Sequence, residues 1–201
     1  MSLRIAIISW GSLIWDPDSR FDSMHRGWIE DGPVLKIEFS QVDPAGDGGL
    51  TLVIDPKHGA ACRTYYALSR RHRPETALHD LSRREGVPNK AIGFVSLLTL
   101  RSRGHDPASV KEIALWAAKH RIDVALWTDC PSNFARRCHR PFSVSAAITH
   151  LQGLSAQAKV EIAEYLWRAP PTVDTPLRRA LQGPPWFAPL KRRPDRGSKG
   201  R

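Results

Sequence analysis

Hydrophobic residues in the first half of the chain fall in short runs bounded by Gly, Pro and Asp, a pattern typical of β-strands. The segment "VLKIEFSQ" alternates apolar and polar residues with a period of two, so we expect one face of this strand to contact solvent. The turn-rich segment "DPAGDGGL" predicts a hairpin between the second and third strands. The predicted strands cover residues 3–9, 34–41, 50–55, 61–68, 91–100 and 122–128.

In the second half of the chain, apolar residues recur mainly at helical spacing. Pro74 suits the first position of a helix and Gly86 the position just after its end, and Asp106 and Ser155 are suitable N-terminal caps. The predicted helices cover residues 74–85, 107–120, 156–168 and 176–182. Because strands dominate the first half and helices the second, the pattern favours the α+β class over repeated βαβ units.

The composition is that of a globular domain rather than a membrane protein. No apolar run approaches the roughly 20 residues that cross a bilayer, and the N-terminal residues lack the features of a signal peptide. The chain has three cysteines, Cys62, Cys130 and Cys138, too few for a disulfide framework. We therefore expect a cytoplasmic protein with no membrane partner.

Positive charge is concentrated at the C-terminus. The formal net charge is +10, and the last eleven residues, "KRRPDRGSKGR", hold six Lys or Arg against one Asp, which is half of that excess. Residues 190–201 are therefore predicted to form a disordered basic tail, which either improves solubility or binds polyanions weakly. Because the rest of the chain is only mildly basic, nucleic acid is not the expected partner.

The stretch "RIAIISWGSLIW" lacks the polar turn that normally ends a strand. A turn that stays inside the core has backbone N–H groups that need partners. The amides of Gly11, Ser12 and Leu13 are candidates to hold a carboxylate or a developing negative charge. The alternative is a glycine-containing turn packed beneath Trp10 and Trp15. Ser12 is not predicted to be a nucleophile, because the G-x-S-x-G pattern is absent.

Glu85 is the strongest candidate for a catalytic carboxylate. Leu78, Leu81 and Glu85 are spaced i, i+3, i+7, so the glutamate shares the apolar face of its predicted helix. Burial and the negative end of the helix dipole both raise the pKa of a carboxyl group, which suits it to proton transfer near neutral pH. The alternative is that Glu85 only pairs with a neighbouring arginine at a frayed helix end.

Three short motifs, in this order and spacing, resemble a known family. They are "WGSLIWDP" after the first strand, "LSRREGVP" around Glu85, and "ALWTDCPSNF" at 125–134. The γ-glutamylcyclotransferase-like family has Tyr-Gly-Ser-(Asn/Leu) after its first strand and a single catalytic Glu, often followed by Gly. The first motif is similar to the "YGSLIW" version in the glutathione-degrading branch. The resemblance covers about residues 4–134.

The resemblance implies a fold, a reaction and a set of site residues. The fold would be a small mixed β-barrel with flanking helices over residues 1–150. A predicted helical insert at 101–121 and a helical C-terminal extension, 151–189, packed on the barrel, do not belong to the minimal family pattern. The reaction would cyclise a small γ-glutamyl amide to 5-oxoproline and release an amine, without a cofactor. The implied site residues are Glu85 as the proton shuttle, with Trp10, Gly11, Ser12, Leu13 and Trp127 binding the substrate.

Two departures from the family pattern leave a second function open. Trp10 stands where the family has its first motif tyrosine, and Trp127 aligns with a later tyrosine, so two hydroxyl groups are replaced by indole N–H groups. The alternative function is a catalytically inactive domain that binds a small metabolite. No metal site is predicted, because Cys130 and the Cys138-His139 pair do not have the spacing of metal ligands.

Overall fold

The computed structural model describes residues 3–43 and 46–187 and shows a mixed α+β fold. The described residues form eight strands: β1 (Ile5–Ser9), β2 (Val34–Val42), β3 (Leu50–Ile54), β4 (Ala60–Arg63), β5 (Tyr65–Leu68), β6 (Ile92–Ser96), β7 (Arg101–Arg103) and β8 (Val124–Thr128). The α-helices are α1 (Ser19–Asp22), α2 (Pro74–Arg84), α3 (Pro107–Lys119), α4 (Phe134–Cys138), α5 (Val144–Gln152), α6 (Ala156–Arg168) and α7 (Pro176–Ala180).

The strands form two sheets. A five-stranded mixed sheet has the order β5-β1-β8-β6-β7, and a three-stranded antiparallel sheet has the order β3-β2-β4. The predicted hairpin between the second and third strands is confirmed as the antiparallel pair of β2 and β3. In the part of the chain that the structure describes there is no closed barrel, so the predicted barrel is not confirmed.

The predicted strand 61–68 is wrong as a single element. It divides at Thr64, and β4 pairs with β2 whereas β5 pairs with β1 in the other sheet. Thr64 is fully buried, and its hydroxyl donates a hydrogen bond of 2.7 Å to the carbonyl of Pro33. This bond joins Thr64 to a segment 31 residues earlier, at the point where the chain passes from one sheet to the other.

Strand β1 is an interior strand of the five-stranded sheet, between β5 and β8, and all five of its residues are buried. It pairs antiparallel with β5 and parallel with β8. Because parallel neighbours run in the same direction, the carboxyl ends of β1 and β8 lie at the same edge of the sheet. The turn after β1 and the loop after β8 therefore meet there.

Helix α2 covers one face of this sheet, and the C-terminal helices cover the core on the other. Ala77 and Leu81 of α2 are fully buried in a cluster with Ile5 and Ile7 of β1. Leu166 of α6 and the segment around α7 belong to the core that contains the three-stranded sheet. The boundary predicted at 150/151 lies inside α5, so the chain has no break in structure at that point.

The main helices are confirmed within two residues at each end, including the helix within the predicted insert. Sequence reasoning missed α1, α4 and α5. The predicted strand 91–100 is too long, because β6 ends at Ser96 and a turn leads to β7. Leu100 in this turn has a positive φ of 55°, a conformation that a continuing strand cannot adopt.

The predicted tail, 190–201, and the last residues of the predicted extension lie outside the described residues. Among the helices that the structure describes, none combines the length and apolar character needed to cross a bilayer.

Glu38 attaches the C-terminal segment to the three-stranded sheet. Its side chain is fully buried in β2, and its carboxylate accepts hydrogen bonds from the amides of Phe39 (2.8 Å) and Leu177 (3.2 Å). The second bond satisfies one of the free N–H groups at the start of α7. Burial raises the pKa of Glu38, and the hydroxyl of Thr175 and these amides oppose the rise.

His105 connects the segment before α3 to the end of β8. Its Nδ1 lies 2.9 Å from Oδ1 of Asp129, and its own amide donates to Oδ2 of that residue over 2.7 Å. The hydrogen bond to Asp129 raises the pKa of His105, and burial opposes the rise. The bound proton therefore stabilises the folded protein.

We expect His105→Gln to destabilise the protein in acid and to have little effect in base. The stabilisation is complete below the ordinary pKa of histidine, 6.5, and is lost as pH rises through the raised folded value. The expected loss in melting temperature is about 2–4 °C near pH 5.5, the shift for about 1 kcal/mol in a chain of this size, and close to zero near pH 9. Thermal unfolding followed by circular dichroism measures it, and an equal loss at both pH values would contradict it.

Candidate functional site

A cavity of about 360 Å³ lies at the edge of the five-stranded sheet where β1 and β8 end. Its walls come from six places in the chain: the end of β1 and the turn after it, the end of β2, strand β3, the C-terminal end of α2, the end of β8, and α6. The volume falls within the range of small-molecule sites, roughly 300–1,000 Å³. Glu85 and the turn formed by Gly11, Ser12 and Leu13 thus line one cavity, although they lie about 70 residues apart in the sequence.

The turn after β1 is a single 3₁₀ turn, Ser12–Ile14, that stays against the core. The amide of Ile14 donates to the carbonyl of Gly11 (3.1 Å), and the amide of Gly11 donates to the hydroxyl of Ser9 (3.3 Å). Among the described residues, the amide of Leu13 has no hydrogen-bond acceptor. The turn therefore keeps at least one backbone donor without an acceptor among the described residues.

The indole of Trp10 forms a wall of the cavity and connects the two sheets. Its Nε1–H donates to the carbonyl of Leu52 over 3.2 Å, and the side chain is only 5% exposed. Leu52 belongs to β3, an edge strand whose outer side has no strand partner. Because this bond uses the only donor of the indole, Trp10 offers the cavity an aromatic surface rather than a polar group.

Glu85 ends α2 and extends into the cavity. Its own amide still donates to the carbonyl of Leu81 (3.0 Å), and the next residue, Gly86, adopts a φ of +64° that ends the helix. The hydroxyl of Thr128 donates to Oε2 of Glu85 over 3.2 Å. Burial raises the pKa of Glu85, whereas this hydrogen bond and the charge of Arg84 lower it.

Arg84 joins the end of α2 to the segment that follows the turn. Its Nη2 donates to both the carbonyl oxygen (2.8 Å) and the Oδ2 (2.9 Å) of Asp16. The guanidinium therefore points away from Glu85, and the two residues form no salt bridge. The alternative prediction, that Glu85 only pairs with a neighbouring arginine, is wrong.

Trp127, a predicted substrate-binding residue, is not among the described residues that line the cavity. Its indole is fully buried and packs over Gly93, where an added Cβ would lie 2.2 Å from the ring. Its Nε1–H donates to Oδ1 of Asp129 over 2.9 Å. Because neighbouring residues of a strand face opposite sides, the next residue, Thr128, reaches the cavity instead.

Tyr165 is a cavity residue that sequence reasoning missed. It comes from α6, outside the three motifs, and its phenolic oxygen lies 3.0 Å from the position that a Cβ would occupy at Gly11. Its ring makes edge contacts with Trp15 and Phe39, at centroid distances of 5.4 and 5.9 Å. The only available signal was a tyrosine next to the buried face of a predicted helix, which does not distinguish a site residue from a core residue.

The described lining of the cavity carries negative charge and no basic side chain. Glu85 and Asp43 are its carboxylates, and it contains no Lys, Arg or His, although the chain as a whole is basic. Cys130 also lines it, and burial raises the pKa of this thiol, with the nearby charge of Glu85 adding to the effect.

The described residues contain no group of three His, Cys, Asp or Glu side chains placed to hold a metal ion. Neither the protein-family models nor the curated proteins include a match to this chain.

We expect Glu85→Gln to raise thermal stability at neutral pH. Because the pKa of Glu85 is raised in the fold, its ionised form is disfavoured there, and that cost grows as pH rises above the ordinary value of 4.5. The neutral amide removes this cost and still accepts the hydrogen bond from Thr128. The melting temperature of the variant should exceed that of the wild type near pH 7 and match it near pH 4.

Glu112→Gln is the matched control for this measurement. Glu112 is an exposed glutamate on α3, away from the cavity, so the same chemical change should leave the melting temperature unchanged at both pH values. A Glu85→Gln protein that is less stable than the wild type near pH 7 would show that the carboxylate is a structural group.

Proposed function

We propose that this protein is a γ-glutamylcyclotransferase-like enzyme that converts a small γ-glutamyl amide to 5-oxoproline and an amine. One observation carries the proposal: a carboxylate with a raised pKa lines the same cavity as the backbone turn after β1. This is the pair of features that the three sequence motifs imply. The small barrel of the family would correspond here to the two sheets that meet at the cavity.

The reaction requires one group that moves a proton twice. Glu85 accepts a proton from the α-ammonium of the substrate, and the free amine then attacks the γ-carbonyl carbon and closes a five-membered ring. The protonated Glu85 returns the proton to the departing nitrogen, and the amide C–N bond breaks. Glu85 then moves the second proton of the ring nitrogen to the released amine, which leaves in its ammonium form. Atoms balance without water or any other reactant, and Glu85 ends in its starting state.

The surroundings of Glu85 suit this role. Its raised pKa makes the carboxylate a better base near neutral pH, and the negative lining of the cavity attracts the α-ammonium. The amide of Leu13 is available to hold the oxygen that becomes negative when the ring closes. A closed cavity also holds the flexible glutamyl chain bent, which brings the amine close to the carbonyl.

The amine half of the substrate would lie in a neighbouring groove. Gln41 and Cys130 line both the cavity and this groove, which has a volume of about 740 Å³. The groove also includes Lys57 and Arg136, so the two spaces differ in charge. We propose that the released amine leaves through the groove.

Glu85→Gln should abolish the release of 5-oxoproline, and Glu85→Asp should reduce it. The amide cannot accept a proton, so a rate loss of about 10²–10⁴-fold or more is expected for Gln. Aspartate keeps a carboxylate, but its side chain is shorter by one methylene group, so the carboxylate lies farther from the substrate. The measurement is 5-oxoproline formed from glutathione and from several γ-glutamyl amino acids, with Glu112→Gln as the unaffected control.

Two results would contradict the enzymatic proposal. Full activity of Glu85→Gln would remove Glu85 from the mechanism. If the wild type forms no 5-oxoproline from any of these compounds, the alternative of a non-catalytic metabolite-binding domain is favoured. That alternative has one observation in its support, since Trp10 uses its only donor to hold β3 and does not supply the hydroxyl that the family tyrosine would.

A further inference from the structure

The phenol of Tyr165 lies between the turn and the free edge of β3. Its oxygen faces the backbone amides of Leu52 and Ser12, and it lies next to Gly11. A Cβ at position 11 would lie 3.0 Å from the oxygen, so a larger residue there would push the phenol by a few tenths of an ångström. Trp15 and Phe39 hold the ring from its two sides. The side chain is therefore positioned by contacts with both sheets.

Tyr165 lines the cavity, so its hydroxyl can donate a hydrogen bond to a ligand there. A phenolic oxygen that accepts from two amides can still donate its own O–H. Burial raises the pKa of Tyr165, the negative charge of Glu85 adds to the effect, and the two amides oppose it. The phenol is accordingly neutral across the physiological range. Ser12, in turn, presents its amide to this oxygen rather than to the cavity.

The neighbouring groups indicate which oxygen of a ligand the hydroxyl would contact. Glu85 and Tyr165 line the same cavity. If Glu85 receives the α-ammonium of a γ-glutamyl compound, the α-carboxylate lies one carbon away. A hydrogen bond from O–H to a carboxylate is charge-assisted, and the cavity lining within the described residues has no Lys or Arg to compete for it.

We propose that Tyr165 binds the α-carboxylate of the γ-glutamyl ligand, so that α6 of the C-terminal extension contributes directly to the site. This inference rests on the proposed function only for the identity of the ligand. The hydroxyl missing at position 10 is thereby supplied from a different element. Because the α-carboxylate does not change during cyclisation, Tyr165 would act on binding rather than on the chemical step.

The test measures binding of 5-oxoproline, which keeps the carboxylate, and of 2-pyrrolidinone, the same ring without it. We expect Tyr165→Phe to weaken 5-oxoproline binding in calorimetry by about ten- to a hundredfold, as loss of a charge-assisted bond predicts. Binding of 2-pyrrolidinone should not change. Where turnover is measurable, KM should rise with little change in kcat.

Tyr65→Phe is the matched control. Tyr65 is outside the cavity, and its hydroxyl donates to Oε2 of Glu30 over 2.6 Å, so the same loss of one oxygen should leave 5-oxoproline binding intact. Equal affinity in Tyr165→Phe and the wild type would overturn the inference. So would equal losses in both variants, or no binding of 5-oxoproline by the wild type.

A double-mutant cycle tests the position of the phenolic oxygen. Gly11→Ala should weaken 5-oxoproline binding in the wild type and much less in Tyr165→Phe, because the oxygen that the new Cβ would meet is gone. Additive effects would contradict the inference. If Tyr165→Phe does not fold, the full-length wild type labelled with ¹³Cζ-tyrosine replaces it. Of its three tyrosine signals, that of Tyr165 should shift with 5-oxoproline and not with 2-pyrrolidinone, and no shift would contradict the inference.

Failure of this inference and failure of the proposed function are distinguishable. If the protein binds 5-oxoproline through Tyr165 but releases none from γ-glutamyl amides, the carboxylate site is supported and the enzymatic proposal is contradicted. If Tyr165→Phe cyclises γ-glutamyl amides as well as the wild type does, the enzymatic proposal is supported and the carboxylate site is contradicted.

Discussion

The parallel pairing of β1 with β8 is the constraint on which the cavity depends. An interior strand has neighbours on both sides, so the chain that follows β1 leaves only at the end of the sheet. Since β8 runs in the same direction, its last residue, Thr128, arrives at the same edge. Helix α2 packs across both strands and ends there with Glu85. The site forms where the C-terminal ends of β1, β8 and α2 meet.

Side chains close the space between the two sheets. Leu52 lies on an edge strand, where both of its backbone polar groups would otherwise lack partners. The indole of Trp10 donates to the carbonyl of Leu52, and the amide of Leu52 faces the phenol of Tyr165. Two aromatic residues thus take the place that another strand would occupy in a barrel. This arrangement explains how a cavity forms without a closed barrel among the described residues.

The buried Glu38 and the half-buried Glu85 differ in what their carboxylates contact, and this separates a structural role from a chemical one. Glu38 is enclosed and accepts hydrogen bonds from two backbone amides, so its carboxylate is satisfied by the fold itself. Glu85 accepts one hydrogen bond, from Thr128, and otherwise faces the cavity. Burial raises the pKa of both groups. Because Glu85 lines the cavity, a ligand there can reach its carboxylate and supply or receive a proton.

The sequence by itself determined the class of fold, the main helices and the inward position of Glu85. Caps and helical spacing act over a few residues, so Pro74, Gly86 and the i, i+3, i+7 pattern were sufficient. The apolar strand that runs into a turn likewise indicated the position of the cavity floor.

Tertiary structure alone decided which face of β8 meets the cavity and which distant residue completes it. The segment "VALWT" is apolar on both faces, so no alternation indicated that Thr128 rather than Trp127 would reach the site. The division of 61–68 between two sheets depended on bonds to residues some 30 positions away. Tyr165 lies about 150 residues from the turn that it contacts, and only packing of α6 against both sheets brings them together.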